Sequence, residues 1–143
     1  MKNVISERAA FYGLVGILSA IIIFHLLILS GIIPFQIVWG GRLENREQML
    51  QFEMISLLLN ACMLLVIGIR GGLVKITINP LIIRILLWAM CGLFILNTLG
   101  NVLSNNTLEA IIFTPLTLLL AIFSWRLAVG QGRSLKARPS NNR

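Results

Sequence analysis

The chain has 143 residues, 57% of them hydrophobic and 12% charged, and a net charge of +7, whereas soluble domains run nearer about 45–50% apolar and about 25% charged. This excludes an ordinary soluble domain, a disordered chain and a small disulfide-stapled secreted protein. The basic residues fall between and after the apolar runs rather than on one face, so they are read as topological, and no nucleic-acid partner is expected.

A helix needs about 20 apolar residues to cross roughly 30 Å of hydrocarbon. The first such stretch runs from Phe11 to Ile33, after Lys2 and Arg8. It is longer than the roughly 7–15 residues of a signal-peptide core, and Pro34-Phe35-Gln36 follows it in place of a small-residue cleavage site. It is therefore read as a retained transmembrane helix. The segment 34–47 carries Trp39-Gly40-Gly41-Arg42, where two glycines permit a tight turn. Trp39 reads as an interfacial anchor. A second span covers about 48–69, and Gly71-Gly72 behind it reads as a turn. Pro80 can open a third helix, about 81–103. Ser104-Asn105-Asn106-Thr107 is a polar turn into a fourth, about 108–129. A basic tail, 130–143, ends the chain.

Lipid cannot satisfy backbone groups, so each span is expected to be helical. Short connections make neighbours antiparallel. The expected fold class is an all-α integral membrane protein: an up-down-up-down four-transmembrane-helix bundle with both termini cytoplasmic, one membrane domain over 1–143. The inner side then holds ten Lys and Arg, and the outer side two, Arg42 and Arg46. Such a bias fixes orientation. A multi-pass protein of a cell membrane is expected, and a bacterial inner membrane suits it.

Polar residues inside spans are costly and often functional. His25 lies about 12 Å below the outer end of the first helix, and Glu53 about 8 Å into the second. Asn97 is at a similar depth on the third helix, and Thr114 on the fourth, ahead of Pro115. Glu53, Ser56 and Asn60 share one face, continued by Met63 and Ile67. Asn97, Asn101 and Asn105 form a second stripe. Facing each other, the stripes would make a wet wall opening outward. Glu53 suits proton exchange or cation binding, with His25 as its titrating companion. An alternative places Glu53 at the interface, paired with Arg42 or Arg46. Arg42 sits at the lip of this pocket and can clamp a phosphate or carboxylate. The candidate binding residues are Glu53, His25, Asn97, Asn101, Asn60 and Arg42. Asn60, Asn97 and Thr114 can equally serve as helix-packing glue.

Cys62 and Cys91 read as two small buried residues, and Arg84 and Arg126 as snorkelling to the inner interface. Ala110, Thr114, Thr117, Ala121, Ser124 and Ala128 make a small-residue seam on the fourth helix, suited to close helix approach or to a homo-oligomer interface. No nucleophile elbow, P-loop, paired metal histidines or haem motif is present. No catalytic residue, metal or cofactor is therefore assigned. The expected function is binding or translocation of a small solute, cation or lipid. The alternatives are a membrane-embedded acid–base enzyme acting on a lipophilic substrate and a scaffold or accessory subunit. The expected partners are the lipid bilayer, a small-molecule or lipid ligand, and further copies of the chain.

Overall fold

Side-chain caps decide where the helices begin. The computed structural model describes residues 5–104 and 106–130. The Ala9 amide donates to Ser6 Oγ at 3.0 Å, which opens α1 (Glu7–Leu29) four residues before the apolar run. Ser30 Oγ donates back to the Leu27 carbonyl at 2.9 Å, and Gly31 takes φ +79°. Helix α1 therefore stops before Ile33, although its sequence stays apolar. Asn45 Oδ1 accepts from the Gln48 amide at 2.9 Å and caps α2 (Arg46–Gly71), which Gly72 ends in the left-handed region at φ +75°. Asn79 Oδ1 accepts from Leu81 N at 2.9 Å, and Pro80 opens α3 (Pro80–Val102). Helix α4 (Thr107–Val129) continues through Pro115. Two short 3₁₀ turns, Phe35–Ile37 and Trp39–Gly41, lie between α1 and α2.

All four helices are long and apolar enough to cross a membrane, and only 17–33% of each span is buried against its neighbours. Ile23, Leu58, Ile85, Leu96 and Ile111 point outward. An apolar exterior around helical spans is what hydrocarbon requires. Helix α3 packs chiefly on α4, and α1 packs on both α2 and α4, whereas α2 and α3 scarcely touch.

The apolar core forms two clusters. The larger joins Phe11, Leu14 and Leu18 of α1 to Ile67, Leu87, Phe94, Leu120 and Leu127. The smaller collects Ile28, Val38, Leu43 and Met49 beneath the α1–α2 connection. Met63 and Ile67 are buried, so the α2 face that carries Glu53 turns inward. On α4, Thr117, Ala121, Ser124 and Ala128 are buried within this single chain. That part of the small-residue seam serves internal packing and offers nothing to another copy. Cys91 is buried but Cys62 is exposed, contrary to the reading of both as buried.

One end of the bundle is polar. Arg126 Nε donates to the Ile5 carbonyl at 2.7 Å. Glu7 lies 3.4 Å from Arg70 and 3.8 Å from Arg126. Arg126 is 8% exposed. It is held by these contacts instead of snorkelling, whereas Arg84 is exposed. Asn105, Lys2 and the tail 131–143, to which several sequence-based expectations refer, lie outside the described residues, as does the side chain of Glu109.

Gly71 is more than part of a turn: a Cβ there would overlap the ring of Phe11. That ring is buried at 3% exposure and cannot swing aside. Gly71→Ala is expected to destabilise the fold by about 1–3 kcal/mol through overpacking. Gly16 has nothing within 4 Å of its Cβ position, so Gly16→Ala is expected to gain about 0.5–1 kcal/mol. Thermal unfolding of both variants in one detergent checks the contrast.

Candidate functional site

The site lies where the two apolar clusters meet. Ile28 and Val38 of the smaller cluster and Phe94 of the larger line a cavity of about 180 Å³. Helix α1 brings His25 to it, α2 brings Glu53, Ser56 and Asn60, α3 brings Asn97 and Asn101, and α4 brings Thr117. The walls from α2 and α3 face one another across the seam where those helices scarcely touch.

Glu53 is fully buried, and both its oxygens are engaged. His25 Nδ1 lies 2.6 Å from Oε2, a short contact of the charge-assisted kind. Trp39 Nε1–H donates to Oε1 at 2.7 Å. The carboxylate therefore sits between an imidazole from α1 and an indole from the α1–α2 connection. A carboxylate inside a span is costly unless it is hydrogen-bonded, and these two contacts bond both of its oxygens. The ring's other nitrogen, Nε2, has no protein partner among the described residues.

Trp39 adopts φ +56°, rare for a bulky residue and costing of order 1–3 kcal/mol. Three contacts hold the side chain and its segment. The indole bonds Glu53, its ring lies 5.2 Å from that of Phe52, and buried Val38 and Leu43 anchor the segment on either side. Gly41, at φ +70°, completes the reversal. Asn106 Nδ2 donates to the Ile37 carbonyl at 2.9 Å, tying this connection to the one between α3 and α4.

The remaining polar groups differ in how far they are committed. Asn60 Nδ2 donates to the Ser56 carbonyl within its own helix at 2.8 Å. Thr117 Oγ1 donates to the Phe113 carbonyl at 2.8 Å and accepts from Thr98 at 2.9 Å. Asn101 Nδ2 reaches Thr117 only loosely, at 3.4 Å. Asn97 is exposed and has no hydrogen-bond partner among the described residues. Thr114 Oγ1 is buried without a partner and does not line the cavity; Thr117, one turn on, does.

Comparison with protein-family models, curated proteins and solved structures finds no match. The site is therefore read from its own geometry. The structure brings Glu53, His25, Asn60, Asn97 and Asn101 around one cavity. Arg42 is not among them. It is exposed and lines an adjoining cleft of about 170 Å³, with Trp39, Asn97 and Asn101 shared between the two spaces. The alternative pairing of Glu53 with Arg42 or Arg46 is not formed; the nearer His25 and Trp39 take both oxygens. Among the described residues no three His, Cys, Asp or Glu side chains come together.

Trp39 is a participant that the sequence reading missed, and Thr117 another. An indole N–H usually finds a partner when it is covered. The adjacent Gly40-Gly41 was the available sign that the chain turns back there.

Proposed function

We propose that this chain is a multi-pass protein of the cell membrane that binds a small hydrogen-bonding solute or headgroup in an outward-facing intramembrane pocket. The bundle runs up-down-up-down with both termini cytoplasmic, and a bacterial inner membrane suits its charge pattern. Supporting this arrangement, the start of α1 meets the ends of α2 and α4 through Glu7, Arg70 and Arg126. His25, near the end of α1, meets Glu53, near the start of α2. The basic end is then the inner one.

The observation that carries the reading is the Glu53–His25 pair beside a cavity, with an imidazole nitrogen that has no partner among the described residues. Both carboxylate oxygens already accept bonds and the side chain is fully buried, which leaves a bare cation no open approach to it. The groups left for a ligand are His25 Nε2 and the amides of Asn97 and Asn101. They suit a neutral or zwitterionic molecule with donors and acceptors. A volume of about 180 Å³ holds about six waters at roughly 30 Å³ each, and it falls below the roughly 300–1,000 Å³ of drug-sized pockets. Translocation would engage further copies of the chain, since one four-helix unit has little room for a pore.

A second reading is favoured by the same pair. A carboxylate on Nδ1 holds an imidazole as a general base is held, with Nε2 free to take a proton from a lipophilic substrate.

Native mass spectrometry of the protein released from nanodiscs tests the binding reading. The wild type is expected to retain a small molecule of defined mass, and folded Glu53→Gln and Asn97→Leu variants are expected to lose it. Retention unchanged in both variants would sink the assignment. A bare oligomer or a co-purified protein would favour a scaffold.

A further inference from the structure

The other end of the bundle holds a second and larger cavity, of about 650 Å³, open on one side and lined by the ends of α2 and α4, the α2–α3 connection and the start of α3. Arg70 and Arg84 line it, and no acidic residue does. Arg70 has only a share of a counter-charge. Its 3.4 Å contact with Glu7 is longer than a good hydrogen bond, and Glu7 also faces Arg126. One carboxylate thus answers two guanidinium groups. Arg84 has no hydrogen-bond or ion-pair partner among the described residues. It stands about one turn into α3, next to buried Ile83 and exposed Ile85. A guanidinium inside a span is costly unless it meets water or an anion. The N-terminus of α3, at Pro80 and Leu81, adds its partial positive charge to the same cavity. Apolar side chains, among them Ile76, Ile78 and Leu127, complete the wall.

We propose that this cavity holds the phosphate of an anionic phospholipid. Arg84 and Arg70 bond the phosphate oxygens, and Ile76, Ile78, Leu81 and Leu127 carry the first part of the acyl chains. Charge and polarity together select this occupant. Arg70, Arg84 and Arg126 against Glu7 leave an excess of +2, from 3 − 1. A phosphodiester lowers that excess, whereas a zwitterionic headgroup returns a cation to it. A free inorganic anion would satisfy the guanidinium groups but leave the apolar wall uncovered. The site is separate from the Glu53 pocket and does not depend on its role.

The test uses the full-length chain, delipidated in mild detergent and offered equal amounts of dioleoyl phosphatidylglycerol and dioleoyl phosphatidylcholine, with bound lipid read by native mass spectrometry. One phosphatidylglycerol per chain is expected, preferred about tenfold, as loss of a charge-assisted bond implies. Arg84→Gln is expected to remove about tenfold of that preference, and Arg84→Lys to keep most of it. Arg8→Gln, which removes an exposed charge from the same end of α1, is expected to change nothing. Arg84 is exposed and has no ion-pair partner among the described residues, so Arg84→Gln is expected to unfold at the wild-type temperature in lipid-free detergent. Equal retention of the two lipids by the wild type would overturn the proposal. So would a preference that survives Arg84→Gln, or one that Arg8→Gln lowers as much, since attraction would then be diffuse. Competition by millimolar inorganic phosphate as effective as that by phosphatidylglycerol would show an ordinary anion site and overturn the lipid assignment.

Discussion

Glu53→Leu is expected to destabilise the fold by about 3–5 kcal/mol, the range for removing one partner of a buried charge pair. The loss is not one of apolar packing, since leucine roughly fills the space. It arises because Trp39 Nε1–H and His25 Nδ1 both lose their acceptor, and each donor left unmet carries its own desolvation cost. His25→Leu alone leaves the fully buried carboxylate with the indole as its one remaining partner, and a loss of similar size is expected. The double variant removes both members of the ion pair and leaves only Trp39 unsatisfied, so its loss should be well below the sum of the two. Thermal or denaturant unfolding of the four proteins in one detergent measures this coupling. Losses that add to within about 0.5 kcal/mol would show that the two side chains do not act as a pair.

That pairing was within reach of the sequence because it follows from depth. His25 is the only histidine and Glu53 the only acid well inside an apolar run, and a rise of about 1.5 Å per residue puts them in one layer of adjacent helices. The four spans were legible for the same reason: hydrocarbon imposes length and polarity with few alternatives. Their ends were less so. Apolarity continues through Ile32 and Ile33, but Ser6 and Gly31 settle where α1 begins and stops. What escaped was contact between a connection and a helix. Trp39 and Arg42 are three residues apart, and charge offered Arg42 or Arg46 as the alternative partner of Glu53. The left-handed backbone at Trp39 turns the indole in while Arg42 stays exposed. No periodicity carries that information. Thr117 escaped differently, since its spacing marked a packing seam and it serves both the seam and the cavity.

Glu53→Gln should do something other than weaken the fold: it is expected to reverse which nitrogen of His25 carries the proton. In the wild type with a neutral ring, the carboxylate accepts from Nδ1–H, and Nε2 offers the cavity a lone pair. The glutamine has one oxygen and one amino group to place. Trp39 Nε1 can only donate, so the oxygen must take the Oε1 position and the amino group must face His25 Nδ1. That nitrogen then has to accept, and the ring proton moves to Nε2. Every hydrogen bond survives, yet the group facing the cavity changes from acceptor to donor and the buried charge disappears. Because the chain has a single histidine, ¹⁵N labelling of histidine gives one imidazole to assign. Spectra of the neutral ring should show Nδ1–H in the wild type and Nε2–H in the variant. Finding Nδ1–H in both would mean that Trp39 does not orient the carboxylate as its 2.7 Å contact implies. If the inversion occurs and a bound solute is lost while the melting temperature holds, recognition at the pocket runs through Nε2. Loss of the solute without inversion would assign it instead to the negative charge of Glu53.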